Sequence, residues 1–167
     1  MIPRNLKNFS LFVNGKGYAG LVTELTLPKL SVKTEEFRAA GMDTSIPIDM
    51  GLDALSCSFT LAEYTADILS LFGLRDGSKV NLTFRGALDD GGPQVSPIVI
   101  NITGMWKEVD LGSWQPGSMN QLKVSVNAIY YKLAMDSDVL IEIDVINMVR
   151  SIKGKDQLAN IRKALQL

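Results

Sequence analysis

Apolar and polar residues alternate along most of this chain, which is the pattern of β-strands that bury one face. Leu55, Cys57 and Phe59 show the alternation clearly, because the residues between them are polar. On this basis we predict strands at residues 9–13, 18–27, 51–61, 80–85, 98–109, 122–133 and 139–145. Asn14-Gly15 is a strong turn signal after the first strand. The sequence therefore predicts a mainly β protein.

One internal segment has the period of a helix instead. Residues 64–72 carry apolar side chains at positions i, i+4, i+7 and i+8, which form one face of an amphipathic helix. These side chains are Tyr64, Ile68, Leu71 and Phe72. Gly73 fits the left-handed position that follows a helix. We predict one internal helix that ends at Gly73.

The C-terminal segment carries a second, shorter helical pattern. Asp156 is placed to cap this helix, and the apolar stripe consists of Leu158, Ile161 and Leu165. A helix of about ten residues is unstable in isolation. We therefore expect this helix to dock on another surface.

The segment from residue 27 to residue 51 begins with strand-like alternation. Its apolar side carries Leu30 and Val32, and its polar side carries Lys29, Ser31, Lys33 and Glu35. The alternation slips by one residue at Pro28-Lys29. Because proline donates no backbone hydrogen bond, this slip predicts a bulge or bend there.

The flanks of this segment's small, glycine-containing tip are more apolar than a solvent-facing loop requires. They carry Phe37, Met42, Ile46, Ile48 and Met50. Two interpretations fit this pattern: a hairpin that folds back on its own core, and an arm, at about residues 34–50, that projects and is buried by another subunit. Long loops in compact domains are usually functional or disordered. The pattern alone leaves both interpretations open.

Composition limits the class of protein. The 167 residues suit one domain, 46% of them are hydrophobic and 21% are charged, and the net charge is −1. This balance argues against a free-standing nucleic-acid binder, which usually carries a basic surface. It is compatible with self-association, since copies with little net charge repel one another weakly. No apolar run is long enough for a membrane-spanning helix, and residues 1–10 lack the apolar stretch of a secretory signal peptide.

The residues offer little for catalysis. The chain has no histidine and only one cysteine, Cys57, which excludes Ser-His-Asp and Cys-His nucleophile systems and disfavours a zinc site. Residues 15–20 match G-x-G-x-x-G, but strand-like residues follow where a dinucleotide site needs a helix. We therefore predict a protein that is not an enzyme and that has no cofactor and no metal.

Several stretches together carry a resemblance to a known family. They are residues 25–55, 104–114, 130–133 and 141–167, with the short runs PKL at 28–30, GMD at 41–43, IDMGL at 48–52, KEVD at 107–110 and DQL at 156–158. In these stretches the chain resembles the major tail tube proteins of contractile-tailed bacteriophages and of R-type phage-tail-like bacteriocins. The resemblance spans essentially the whole chain, including its length and the order of its elements.

The resemblance implies a single domain with a β-sandwich or small β-barrel-like fold, one internal helix and a short C-terminal helix. Subunits of this family form hexameric rings, which stack into a hollow tube inside a contractile sheath, and their strands join a continuous lumenal barrel. The hairpin at about 34–50 would reach the adjacent ring. The N-terminal residues 1–6 and a C-terminal docking tail at about 144–167 would also take part in subunit contacts.

The resemblance and the pattern together select candidate site residues. Those expected at contacts between rings or subunits are Phe37, Met42, Ile46, Ile48, Asp49, Met50, Leu158, Ile161 and Leu165. Those expected to face the lumen are Lys29, Ser31, Lys33, Glu35, Lys107, Glu108, Lys123 and Ser125. The sequence does not assign the lumenal face of each strand.

The resemblance also implies partners and a location. The partners would be other copies of the chain, the tail sheath protein, the tape measure protein, and the baseplate and terminator proteins, with DNA passing non-specifically through the lumen in a phage. The protein would belong to a virion tail or a phage-tail-like particle and would be assembled in the cytoplasm of the host bacterium. The alternative is a small β-barrel binding module, which predicts a stable monomer with a basic, aromatic groove.

Overall fold

The computed structural model describes all residues, Met1–Leu167, and consists of twelve strands and two short helices. The strands are β1 (Asn5–Val13), β2 (Lys16–Gly17), β3 (Val22–Thr26), β4 (Val32–Phe37), β5 (Ile46–Leu52), β6 (Leu55–Leu61), β7 (Val80–Asp89), β8 (Val95–Asp110), β9 (Leu122–Met135), β10 (Asp138–Asp144), β11 (Val149–Ile152) and β12 (Lys155–Asp156). The helices are α1 (Ala66–Leu69) and α2 (Ala159–Ala164). The prediction of a mainly β fold is confirmed.

Ten of the strands form one antiparallel sheet. Its main path runs β12-β11-β10-β9-β8-β7-β1-β2, and β6 and β3 extend it from the first half of β9. The long strands β8 and β9 pair from Ile98 opposite Met135 to Asp110 opposite Lys123. One edge of β9 therefore pairs with β6 along its first half and with β10 along its second half. The remaining strands, β4 and β5, form a separate two-stranded sheet.

The inner face of the large sheet surrounds a single hydrophobic core. Strands β1, β6, β7, β8, β9 and β10 all contribute to it, so the sheet curls around its own apolar face. Helix α1 covers part of this core with Ile68, which is fully buried. The Trp106 Nε1–H donates a 2.8 Å hydrogen bond to the Ile68 carbonyl, and the Trp106 ring meets Phe59 edge to face at 5.6 Å. This contact fixes the helix on the sheet.

The alternation of β9 changes sides in its middle. Leu122, Val124 and Val126 point into the core, but beyond a bulge at Ile129 the buried residue is Tyr131. Gly104 of β8 lies opposite Ala128 at this bulge, where a Cβ atom would stand 2.1 Å from the Asn127 carbonyl oxygen. The backbones of β8 and β9 are so close at this point that only a residue without a side chain fits at position 104.

Several predicted elements differ from the structure. The internal helix is shorter than residues 64–72, and Phe72, predicted on its buried face, is 54% exposed. The prediction of a half-buried strand at Lys29–Glu35 is wrong: β4 begins at Val32, all its residues are exposed, and its irregular register lies at Lys33. The bend predicted near Pro28 falls in the connection between β3 and β4.

The C-terminal region also contains more structure than its sequence pattern predicts. Strands β11 and β12 were not predicted, because each is too short to show alternation. Helix α2 begins at Ala159, so the prediction that Asp156 caps it directly is wrong. Asp156 instead accepts a 3.0 Å hydrogen bond from the Leu158 N–H, before the helix begins.

Candidate assembly surfaces

The hairpin of β4 and β5, called the arm below, is amphipathic. Phe37 lies opposite Ile46 and Glu35 lies opposite Ile48, so these four residues share one face. The other face carries polar residues such as Thr34, which lies opposite Asp49. The large apolar side chains Phe37, Ile46, Ile48 and Met50 are each between 42% and 54% exposed. The subunit thus presents an exposed apolar surface on a hairpin that is not part of the large sheet.

The tip of the arm is closed by its own side chains. The Arg38 Nε–H donates to the Met42 carbonyl at 3.3 Å, and the Ala39 N–H points to the Met42 sulfur at 3.3 Å. Ser45 donates a 2.6 Å hydrogen bond to Glu36 across the hairpin. Met42 is therefore half-buried within the tip, whereas the apolar side chains of the two strands are exposed to solvent.

The base of the arm is tied to the rest of the subunit. The Arg150 Nη2–H donates a 3.1 Å hydrogen bond to Asp49, and the Asp53 N–H donates to the Ser31 carbonyl at 2.9 Å. The Gly51 N–H donates to Asp49 as well. This backbone hydrogen bond and the Arg150 guanidinium lower the pKa of Asp49. The carboxylate therefore stays ionised and holds the arm to β11.

The C-terminal docking tail is held mainly by polar contacts. Arg162 of α2 forms an ion pair with Asp156 and donates a 2.6 Å hydrogen bond to the Met148 carbonyl. Of the predicted apolar stripe, only Leu158 is half-buried, while Ile161 and Leu165 are exposed. The helix thus docks on its own subunit without using most of its apolar face.

An apolar cleft of about 490 Å³ opens between the base of the arm, the edge of β9 and β10, and the tail. Its apolar walls include Leu52, Leu55, Ile143, Met148 and Leu158, and Asp53, Asp144 and Arg150 stand among them. We call this cleft the arm-base groove. The structure therefore places Leu158, a predicted contact residue, at one site with Arg150.

The residues predicted to face the lumen divide into two groups. Lys107, Glu108, Lys123 and Ser125 lie together on the outer, polar face of the large sheet, where Ser125 stands between Ser58 and Glu108 and Lys123 lies opposite Asp110. Lys29, Ser31, Lys33 and Glu35 lie on the arm or on the connection that leads into it, not in this sheet. The structure does not bring the two groups onto one surface.

One contributor to these surfaces and one close backbone approach in the sheet were missed by the sequence analysis. Arg150 lies 101 residues from Asp49 in the chain, so no local pattern could pair them. The close approach at Gly104 depends on the bulge in β9, and a lone glycine in a strand hints at it only weakly. No helix is long and apolar enough to cross a membrane. No group of three or more His, Cys, Asp and Glu side chains is arranged to hold a metal ion.

The fold resembles that of tubes from contractile injection systems. The sheath–tube complex of an extracellular contractile injection system, in its extended state, contains a chain that superposes with a TM-score of 0.60. The match covers 80% of this chain and 90% of that chain at 13% sequence identity. The curled sheet is therefore a tail tube fold.

Sequence comparison identifies the family. The model of the phage tail tube protein FII family matches residues 3–165. The tail tube protein of Escherichia phage P2 is 37% identical over 99% of both chains. The major tail tube protein of Serratia phage KSP20 is 31% identical over 93% of this chain and 91% of its own. This chain belongs to the phage tail tube protein FII family and is a structural component of a virion tail or a tail-like particle.

Proposed function

We propose that this subunit assembles into hexameric rings and that the rings stack into the inner tube of a contractile tail. The observation that carries this proposal is the arm, whose apolar face is exposed along both strands. An isolated two-stranded hairpin is marginally stable in water. Burial of this face against the adjacent ring would stabilise the arm and join the rings at once.

The outer face of the large sheet is the candidate lining of the central channel. Acidic and basic side chains alternate there: Lys123 lies opposite Asp110, and Lys107 precedes Glu108 in β8. A strongly basic channel would retain DNA by phosphate contacts, whereas a balanced one lets a phosphate backbone slide. We therefore assign DNA passage to this face, with Lys107, Glu108, Lys123 and Ser125 facing the lumen.

The proposed role is mechanical and requires no catalytic residue. The tube would lie inside the sheath protein, surround the tape measure protein, begin at the baseplate and end at the terminator. Assembly would take place in the cytoplasm of the host bacterium. In a phage the channel would carry DNA, and in a bacteriocin particle the same tube would puncture a membrane.

The decisive experiment adds a charge at two positions of the arm. Ile48→Asp would bury an unpaired charge in the contact between rings, so we expect a folded subunit that no longer forms tubes. Thr44→Asp is the matched control, because it adds the same charge at an exposed position between the two strands, away from Ile48 and Asp49. Negative-stain electron microscopy and sedimentation measure tube length and yield. Tubes of normal length from Ile48→Asp would overturn the burial of the arm between rings.

A further inference from the structure

A second apolar cleft, of about 250 Å³, lies beside helix α1, and we call it the α1 cleft. It opens where β7 begins and where β8 continues toward its end without a partner strand on that side. Its apolar walls include Leu71, Leu74 and Met105, of which Leu74 is 39% exposed and Met105 is 54% exposed. The one charged residue in the lining, Arg75, forms no ion pair within the subunit. An occupant of this cleft should therefore combine apolar side chains with a negative charge.

The apolar face of the arm has this chemistry. Phe37, Ile46 and Ile48 lie on it, and each is between 42% and 49% exposed. Glu35 lies opposite Ile48 on the same face and forms no ion pair. The arm thus sets one carboxylate among apolar side chains, as the cleft sets one guanidinium among apolar side chains. Contact would remove apolar surface from water on both sides and would pair two charges that have no partner within the subunit.

Two other clefts suit the arm less well. The arm-base groove has Asp53 and Asp144 in its lining, and both would repel Glu35. A cleft of about 120 Å³ between β1, β3, β7 and β8 has Arg85 as its one charged residue. This guanidinium already lies over the Phe12 ring, 5.9 Å from the ring centroid. The α1 cleft is larger than this third cleft, and its cation is free.

We infer that the α1 cleft of one subunit receives the apolar face of the arm of a second copy of this chain, with Glu35 beside Arg75. This inference rests on the proposed assembly into a tube and names the surface that the arm covers. The arm and the cleft are different surfaces of one chain, so each added copy brings a further arm and a further cleft. A head-to-tail contact of this kind continues from copy to copy unless the rotation between copies closes it into a ring.

Photo-cross-linking from the arm tests the contact directly. The photoreactive residue p-benzoylphenylalanine at position 37 exchanges one aromatic side chain for another on the apolar face. Tubes assembled from a mixture of isotope-labelled and unlabelled chains are irradiated, and mass spectrometry then locates each cross-link and shows whether it joins two chains. We expect cross-links between chains at Leu74, Arg75 or Met105.

The control for this experiment places the same photoreactive residue at position 47, which lies opposite Glu36 on the other face of the arm. It should not mark the α1 cleft. Tubes in which position 37 cross-links to another surface, or only to its own chain, would overturn the inference while leaving the tube function intact. Failure of the unaltered protein to form tubes would instead overturn the proposed function.

A charge exchange provides a second test that keeps every apolar residue. Glu35→Lys places like charges at the cleft, and we expect it to raise the protein concentration needed for assembly by about tenfold. Arg75→Glu in the same chain should restore assembly. Asp138→Lys makes the same change of charge at the start of β10, outside both surfaces, and should have a smaller effect. An unchanged assembly threshold for Glu35→Lys, or the absence of rescue by Arg75→Glu, would contradict the contact.

Discussion

Arg150 of β11 donates a hydrogen bond to Asp49 of the arm, with 3.1 Å between Nη2 and Oδ2. The backbone of Arg150 is held in turn by the residue that follows β12, since the Gln157 N–H donates to the Arg150 carbonyl at 2.7 Å. The arm is thus connected through one side chain to the C-terminal tail. This connection ties the base of the arm to the C-terminal tail.

We expect Asp49→Asn to loosen the arm without unfolding the sheet. The charge-assisted bond to Arg150 would weaken, and trypsin should cleave at Arg38 in the arm tip about twofold faster. Mass spectrometry of the fragments measures the cleavage rate. Glu35→Gln removes the same charge from the opposite face of the arm and serves as the control. Equal cleavage rates for Asp49→Asn and the unaltered protein would show that the arm is positioned by other contacts.

The tail should detach in acid. The side-chain hydrogen bond with Arg162, and then the Leu158 N–H, lower the pKa of Asp156 from its ordinary value of 3.8. The ionised carboxylate therefore stabilises the folded tail fully above pH 3.8, and this contribution is lost as the pH falls through the lower folded value. NMR shifts of Ala159–Ala164 should lose their helical values in that range. In Asp156→Asn the helix should already be destabilised at neutral pH. If this variant loses its helix over the same pH range as the unaltered protein, the Asp156 carboxylate is not the group whose protonation releases the tail.

Trp106→Phe should destabilise the whole subunit. Phenylalanine cannot donate to the buried Ile68 carbonyl, and the smaller ring leaves space beside Phe59, so we expect a loss of about 2–4 kcal/mol in the free energy of unfolding. Urea denaturation followed by circular dichroism measures this loss. Trp114→Phe is the control, because Trp114 is 76% exposed and should change the value by less than about 0.5 kcal/mol. Similar losses in both variants would contradict the role of Trp106.

Gly104→Ala should be costly despite its small size. The added Cβ would meet the backbone carbonyl of Asn127, and two paired strands cannot separate without breaking their ladder, so we expect a loss of about 3 kcal/mol or more. Gly92→Ala is a matched control, since its Cβ would meet only the Asp90 carboxylate, a side chain that can move. Thermal unfolding midpoints compare the two variants. Equal midpoints for Gly104→Ala and Gly92→Ala would show that the bulge in β9 shifts enough to accommodate the added Cβ.

The sequence predicts well those parts of the fold that depend on neighbours in the chain. Leu55, Cys57 and Phe59 alternate because β6 lies over one core, and the period of two is enough to identify the strand. The bulge at Ile129 is set by the pairing of β9 with β8, so the pattern of β9 alone does not place it. Helix α1 was predicted too long because Phe72 continues the apolar period although the chain has already turned away.

The candidate assembly surfaces were predictable only in part. The apolar residues of the arm are visible in the sequence because they exceed what a loop needs. The surface proposed to cover them is not visible, since a contact between copies leaves no pattern in a single chain. The arm-base groove is assembled from β5, β6, β9, β10 and the tail, and so required the structure to be recognised.

The open apolar face of the arm affects how quickly this protein must be used after synthesis. A free subunit with a net charge of −1 has little repulsion to keep such faces apart. Exposed apolar surface and unpaired strand edges make transient species prone to aggregate as their concentration rises. Addition of a subunit to the growing end of a tube therefore competes with aggregation, and the outcome depends on the ratio of growing ends to free subunits. A cell that supplies initiation sites early would convert more of this chain into tube.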